Sequence, residues 1–387
     1  MKIEKITLIT AAALLAPFAL NAQDANASST LGSKKEAAGV TFDAKKAKIT
    51  VSGYAQAQYI YADSKNNAGD ANSGFAIRRA AISAKGAIDE NWSAEVGFEI
   101  DSNNKNDKLN NAFVDKAVIS YKNDLGKLTA GYQKTAFIME EYTSSKTLLC
   151  IEQSIASVYF ANMAGVKQLS GRHGGVWWDG KFEGLKYTVA VTNQYKEDFF
   201  GDENDGVAFA GTLAYTFKSS DGLEAEIGVN GIYNPGNDNK DAAGDYVATK
   251  APHGAVWGVE PYAKVTIDGF TGILDGIYAD GDEDAGVKDA AWGVNATAAY
   301  RFENDLEPVV RLSYVDVGDN KNLNPSMLKN TPAGTGDHDS AFGVYVGANF
   351  YANKNIKVSA GYEYTKFDGG AKDEDANSVR LQLQAVF

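Results

Sequence analysis

The sequence predicts an all-β protein, a transmembrane antiparallel β-barrel of 16 strands with long external loops and short periplasmic turns. Three observations predict it. The last run, Ala376 to Phe387, alternates strictly, with Val379, Leu381, Leu383, Ala385 and Phe387 on one face and Arg380, Gln382 and Gln384 on the other. Period-2 patterning of this kind describes a strand with one apolar and one wet face. Fifteen earlier runs alternate likewise, and short and long connections follow one another between them without exception. An open strand edge is not tolerated in lipid, so the last run must close onto the first, Ile49 to Tyr61.

Taken in order, the chain starts with Lys2 and Lys5 ahead of an apolar stretch, Ile6 to Leu20, broken by Pro17. Leu20-Asn21-Ala22 then supplies a small residue for cleavage ahead of Gln23, so residues 1–22 read as a secretory signal peptide. Losing Lys2, Lys5 and Glu4 takes the net charge from −13 to −14. Residues 23–47 are rich in Ala, Ser and Lys and read as a flexible periplasmic lead-in, with room for a short helix near Lys34 to Ala38. The barrel occupies residues 48–387. The single Cys150 excludes an internal disulfide, so an exported chain of this size needs another source of stability, such as closed hydrogen bonding. No later stretch is apolar for about 18 residues, which excludes a spanning helix.

The strand runs are Lys48–Ala62, Gly74–Ile88, Trp92–Asp101, Ala112–Tyr121, Gly126–Phe137, Arg172–Phe182, Gly184–Gln194 and Gly206–Lys218. They continue as Gly222–Asn234, Gly254–Asp268, Phe270–Asp280, Val287–Phe302, Leu306–Val317, Asp339–Tyr351, Asn355–Phe367 and Asn377–Phe387. Glu183 alone and Gly269 alone bridge two of the hairpins, whereas Ile138–Gly171 and Gly318–His338 are long polar links. Tight turns on one rim and long loops on the other are what an outer-membrane barrel requires.

Facing follows from the same alternation. Trp92, Ala94, Val96, Phe98 and Ile100 meet lipid, leaving Ser93, Glu95, Gly97, Glu99 and Asp101 in the lumen. Charges keep to the lumenal set, since Arg or Lys at the bilayer midplane costs roughly 2–4 kcal/mol. Tyr121, Phe182, Phe217, Phe302 and Tyr351 sit beside short turns, and Tyr59, Tyr61, Tyr278, Tyr314 and Tyr364 towards the long loops, as two interfacial girdles.

At Gly74 the sequence becomes specific. G-F-A-I-R-R-A-A-I-S-A-K-G-A-I followed by W-S-A-E-V-G-F-E-I-D, and later G-K-L-T-A-G-Y-Q-K-T-A-F-I-M-E-E-Y-T-S-S, resemble the phosphate-selective porin O/P family over about Gly74 to Ser154. The resemblance implies a sixteen-stranded homotrimeric porin of a Gram-negative-type outer membrane, whose third external loop folds into the lumen. It also makes Phe387 similar to the terminal aromatic by which the outer-membrane assembly machinery recognises barrels. Two positions depart from the family pattern: Ala136 stands where Pro is frequent, and Gln153 follows Glu152 where Arg is frequent. The second departure weighs against anion selectivity.

The third loop, 138–171, carries Leu148, Ile151, Ile155 and Val158 at helical spacing, which predicts a short amphipathic helix. An apolar face needs a wall, so the loop is expected to fold inward and to bury Cys150 as a small apolar residue. The candidate lumenal cations are Arg78, Arg79, Lys116, Lys264, Arg301, Arg311 and Arg380, joined by Lys146, Lys167 and Arg172 from or near the loop. Adjacent Arg78 and Arg79 must point opposite ways in a regular strand, so their facing is open. Against them stand Glu95, Glu99, Glu152, Glu224, Glu226, Glu260 and Glu363. Both signs are present, and lumenal charge biases conductance towards the opposite ion.

These readings point to passive diffusion of small hydrophilic solutes or ions, small anions such as phosphate among them. The alternative is a structural or adhesive barrel acting through its external loops. No enzyme is indicated: His173, His253 and His338 lie in no metal-ligand or catalytic spacing, and no cofactor is implied. The partners expected are outer-membrane lipid and two further copies of the chain. The acidic balance opposes nucleic acid.

Overall fold

The computed structural model describes residues 40–44, 47–65, 71–101, 112–162, 170–195, 206–236, 253–334 and 336–387. The expected signal peptide lies outside the described residues, as does most of the lead-in. Within that lead-in, Val40–Ala44 forms a strand (β1), which the sequence had not suggested.

Sixteen longer strands close the barrel. They are β2 (Ala47–Ser64), β3 (Asn72–Ala87), β4 (Trp92–Asp101), β5 (Ala112–Asn123), β6 (Gly126–Lys134), β7 (Arg172–Phe182), β8 (Leu185–Asn193) and β9 (Val207–Lys218). The second half is β10 (Glu224–Asn234), β11 (Val256–Ile267), β12 (Phe270–Gly281), β13 (Ala291–Tyr300), β14 (Leu306–Asp316), β15 (Ser340–Tyr351), β16 (Ile356–Asp368) and β17 (Glu374–Val386). Every neighbouring pair is antiparallel, and β17 zips onto β2 from Ala376 against Ser64 to Val386 against Tyr54. Below that point β1 takes over the same edge of β2, pairing Val40 with Val51 and Ala44 with Ala47. Phe387 and Gly53 exchange both backbone hydrogen bonds at the junction, at 2.8 and 3.0 Å. The Phe387 ring occupies the space a Cβ on Gly53 would need, so only glycine fits there.

Turn chemistry fixes the periplasmic rim. Glu183-Gly184 and Asp268-Gly269 join their strands with both residues at positive φ, the mirror-image turn whose twist matches a right-handed hairpin. On the outer wall Val379, Leu381 and Leu383 are exposed, whereas Arg380, Gln382 and Gln384 between them are buried. Trp92 stacks against Tyr121 at the turn side, and Trp257 and Trp292 against Tyr278 and Tyr314 at the loop side. Exposed rings at both ends of an apolar wall mark two membrane interfaces.

The lumen departs from a water-filled cylinder. The eight external connections, numbered L1 to L8 in chain order, include two that turn inward: L3 (residues 135–171) and L7 (residues 317–339). L3 carries two helices, α1 (Met139–Tyr142) and α2 (Ile155–Asn162). Phe137, Ile138, Ile155, Tyr159 and Phe160 of L3 form one apolar cluster with Val317, Leu323 and Leu328 of L7 and with wall residues such as Ile232, Ile277 and Phe367. The barrel therefore contains an apolar core of its own, lined by wall residues from Trp177 of β7 round to Ala376 of β17. Leu148, Ile151, Ile155 and Val158 are all buried, but they do not share one amphipathic helix. The helix begins only at Ile155 and is covered on every side, because residues 148–154 run as non-helical chain pinned to the wall through their carbonyls.

Replacing Gly53 by Val should lower the temperature at which the folded barrel converts to its slower-migrating unfolded band on gels, with Ala intermediate. An unchanged transition would remove the Gly53–Phe387 lock from this account.

Candidate functional site

Two β-bulges set the charge pattern of the lumen. In β3 the register passes from Arg79 opposite Gln56 to Ile77 opposite Ala57, which leaves Arg78 as the extra residue. A bulge re-aims the side chain it displaces, so Arg78 and Arg79 both face inward at 0% and 5% exposure. In β5 the register passes from Lys116 opposite Gly97 to Val114 opposite Phe98, and Asp115 is the extra residue. Asp115 and Lys116 thereby serve the same lumen.

The paired arginines grip L3. Arg78 holds Glu152 in a two-point contact, Nε to Oε1 at 2.7 Å and Nη2 to Oε2 at 3.1 Å, and also binds Asp101. Arg79 Nη2 adds a bond to Glu152 Oε2 at 3.3 Å, and Gln58 Nε2 donates to Oε1 at 3.1 Å. From the opposite wall Arg311 donates to Glu140 Oε1, to the Glu152 carbonyl and to Glu363 Oε1, each at 2.8 Å. Burial would raise the Glu152 carboxyl, but Arg78, Arg79 and Arg380 hold it well below the usual carboxylate range. Burial likewise works against Glu140, and Arg311 with the Ser154 N–H lowers it overall. These forked, charge-assisted contacts are the strong kind of hydrogen bond.

Other wall groups receive the loop backbone. Asn349 and Lys357 donate to the Leu149 and Leu148 carbonyls at 2.9 and 3.1 Å. Gln56 and Gln384 donate to the Ser145 and Lys146 carbonyls at 3.2 and 3.1 Å. At the loop entrance Ile138 adopts φ 62°, a costly conformation for a β-branched residue. Glu260 on β11, fully buried, holds the strained turn by accepting the Met139 N–H at 2.6 Å and Asn230 Nδ2 at 2.8 Å. Cys150 sits in the loop interior, where burial pushes its thiol up to about 12.

What L3 leaves open lies on the other side. A cavity of about 580 Å³ runs between Tyr142–Thr147 of the loop and the wall of β2–β8. Lys116, Lys127, Lys134 and Lys146 line it together with Glu95, Glu99, Asp115 and Asp179. Most of these charges are paired: Lys116 with Glu95 at 3.7 Å, Lys127 with Asp179 at 3.2 Å, Lys134 with Glu141 at 3.7 Å. Arg172 binds Asp115 at 2.5 Å, reaches Glu99 at 3.7 Å and lies over the Phe113 ring at 4.6 Å. Lys146 forms no ion pair among the described residues.

The candidates from sequence thus divide by place. Arg78, Arg79 and Arg311 gather around Glu152 on L3, with Arg380 bonded to the Lys329 carbonyl of L7. Glu95, Glu99, Lys116 and Lys146 border the cavity, and Arg172 stands behind it on Asp115 and Glu99. Arg301 is elsewhere: it pairs with Asp305 at 2.7 Å and covers the Tyr351 ring at a periplasmic turn, because β13 ends at Tyr300. Lys167 lies outside the described residues. Asp101, which parity places in the lumen, does face inward and binds Arg78. Asp115, Lys134 and Glu140 were missed, and Asp115 faces inward only through its bulge.

The sequence profile of a family described as phosphate-selective porin O and P matches residues 49–254, just over half of the chain. No curated protein matches. Among solved structures the chain is similar to the outer membrane channel DcaP of Acinetobacter baumannii, with TM-score 0.61 and 13% identity over 89% of this chain and 99% of that one. It is similar to the anion-selective porin from Comamonas acidovorans, with TM-score 0.56 and 13% identity over 88% and 100%. A trimer form of the outer membrane protein OmpT of Vibrio cholerae scores 0.53 at 15% identity over 89% and 100%.

Glu152→Gln should loosen L3 by about 3 kcal/mol, since it removes the carboxylate that Arg78 and Arg79 share and leaves both to Asp101 on the wall. Limited proteolysis should then cut within residues 138–162 in the variant alone. The depressed Glu152 and Glu140 carboxyls give docking that is complete above the ordinary carboxylate range and lost as pH falls through their folded values. Proteolytic protection of residues 148–154 should therefore persist as pH falls through the ordinary carboxylate range and be lost only below it.

Proposed function

The chain belongs to the phosphate-selective porin O and P family, and on that premise we propose that its outer-membrane barrel passes small hydrophilic solutes and ions by diffusion along one off-centre, mixed-charge path. The observation that carries this reading is the cavity between Tyr142–Thr147 and β2–β8. L3 fills the opposite half of the lumen, so a solute crossing mid-height meets these residues. Fixed charges of both signs favour neither pure anions nor pure cations strongly. The arginines around Glu152 are committed to carboxylates, which leaves little free positive charge for a phosphate. Lys146 tips the balance modestly towards anions, and the likeness to an anion-selective porin supports that direction.

The assembly is a homotrimer joined through lipid-facing strand surfaces, a reading supported by the trimer form of a similar barrel. Phe387 is the handle for the assembly machinery. Catalysis has no place in this reading: His173 Nδ1 is taken by the Asn193 carbonyl and His338 Nε2 by Glu374. A sealed structural barrel is the second reading, favoured by the apolar core that L3 and L7 build inside the wall.

Planar-bilayer recording separates the two. The channel reading predicts steady conductance with a reversal potential slightly on the anion side, moved towards cations by Lys146→Glu. Silence at every voltage would favour the sealed barrel, and an unmoved reversal potential would take Lys146 out of the path.

A further inference from the structure

The ion pairs inside the barrel are of two kinds. Those that fasten L3, through Arg78, Arg79 and Arg311, are buried on the guanidinium side, which is at most 6% exposed. Two pairs on the cavity wall are solvated instead. Lys116 and Glu95 face each other at 3.7 Å with 35% and 25% of their side chains exposed, and Lys127 and Asp179 at 3.2 Å with 45% and 38%. Pairs this open to water contribute little to stability, so either partner can be exchanged for a charge that a solute brings.

Each of these carboxylates is aimed by the wall and not by its lysine. Ser83 Oγ donates to Glu95 Oε1 at 3.0 Å, and Thr188 Oγ1 to Asp179 Oδ1 at 2.8 Å. The second oxygen of each, Glu95 Oε2 and Asp179 Oδ2, is the one turned to the lysine. All six residues line the cavity, one from each of β3 to β8 in turn. The wall therefore reads hydroxyl, carboxylate, ammonium, and then the same three in mirrored order. The pair of Lys134 with Glu141 lacks this freedom, because Lys134 Nζ also donates to the Glu141 carbonyl at 2.6 Å.

A solute with one charge can take only half of such a pair. An anion that engages the lysine leaves the carboxylate without its counter-charge, and a cation does the reverse. A solute bearing an ammonium and a carboxylate a few atoms apart satisfies both partners together, which offsets the cost of drawing its own charges out of bulk water. We propose that the Glu95–Lys116 and Asp179–Lys127 pairs are exchange stations for zwitterions, namely amino acids and short peptides with free termini. Tyr142, exposed on the loop side of the cavity, offers a ring to their side chains. The lysine stems are flexible, so each station releases what it takes, as conduction requires. The inference rests on the channel reading and names its preferred class of solute.

Swelling of proteoliposomes tests the stations, with glycylglycine as the zwitterion and N-acetylglycinamide as an uncharged solute of similar size. At neutral pH the unaltered protein should admit glycylglycine roughly threefold faster. In a variant carrying Glu95→Gln, Lys116→Gln, Asp179→Asn and Lys127→Gln, the ratio of the two rates should fall to about one. Equal rates in the unaltered protein overturn the proposal, and so does a ratio that survives neutralisation. Should the fourfold variant fail to fold, Asp179→Asn with Lys127→Gln alone should lower the ratio to an intermediate value, and an unmoved ratio overturns the proposal. Equal entry of both solutes leaves the diffusion reading standing, whereas exclusion of both removes that reading and the stations with it.

Discussion

Two adjacent guanidiniums pointing the same way from one strand are the constraint on which the interior depends. A regular strand forbids that arrangement, because successive side chains leave opposite faces. The bulge opposite Gln56 and Ala57 lifts the prohibition, and Arg78 and Arg79 converge on Glu152. An isolated buried carboxylate would be expensive, as would two unpaired guanidiniums. Each makes the other tolerable, and the geometry that satisfies both holds residues 148–154 against the wall. The cavity along β2–β8 is the space this docking leaves.

The consequences spread in both directions along the loop. Upstream, Glu260 holds the strained Ile138 and brings α1 inward. Downstream, α2 is delivered to β13–β15, where its apolar surface meets the wall and the underside of L7. The barrel thus combines two interiors: an apolar core packed around α2 and a charged cavity along β2–β8, with Trp177 of β7 bordering both. Lipid asks only that the outer surface be apolar and the backbone closed, so the inner surface is free to do both.

Much of the barrel was legible in the sequence because each strand answers to two solvents at once. The alternation of Val379, Leu381 and Leu383 with Arg380 and Gln382 is such a record, and the hairpins at Glu183-Gly184 and Asp268-Gly269 are local enough to read directly. The inward set of Arg78, Arg79, Glu99 and Arg311 was legible as a collection but not as a site. A bulge is decided by the partner strand, so neither Arg78 beside Arg79 nor Asp115 beside Lys116 announces it. The helix misread at Leu148 has a related cause: periodicity reports burial, and residues 148–154 are buried by hydrogen bonds to the wall without being helical. L7 did carry a signal, since Val317, Leu323 and Leu328 are as unsuited to an external loop as the apolar residues of L3. Their irregular spacing hid it. The five residues of β1 are too few to show a pattern.

A double-mutant cycle on Arg78 and Glu152 probes the central interaction most directly, read as the thermal stability of the folded barrel with single-channel conductance recorded beside it. Arg78→Met and Glu152→Leu should each destabilise L3 strongly and alter conductance. Combined, they should recover most of both, with a coupling of about 2 kcal/mol or more. Strictly additive losses would contradict the account, because the loop would then owe its position to the apolar packing of α2 and not to the charge pair.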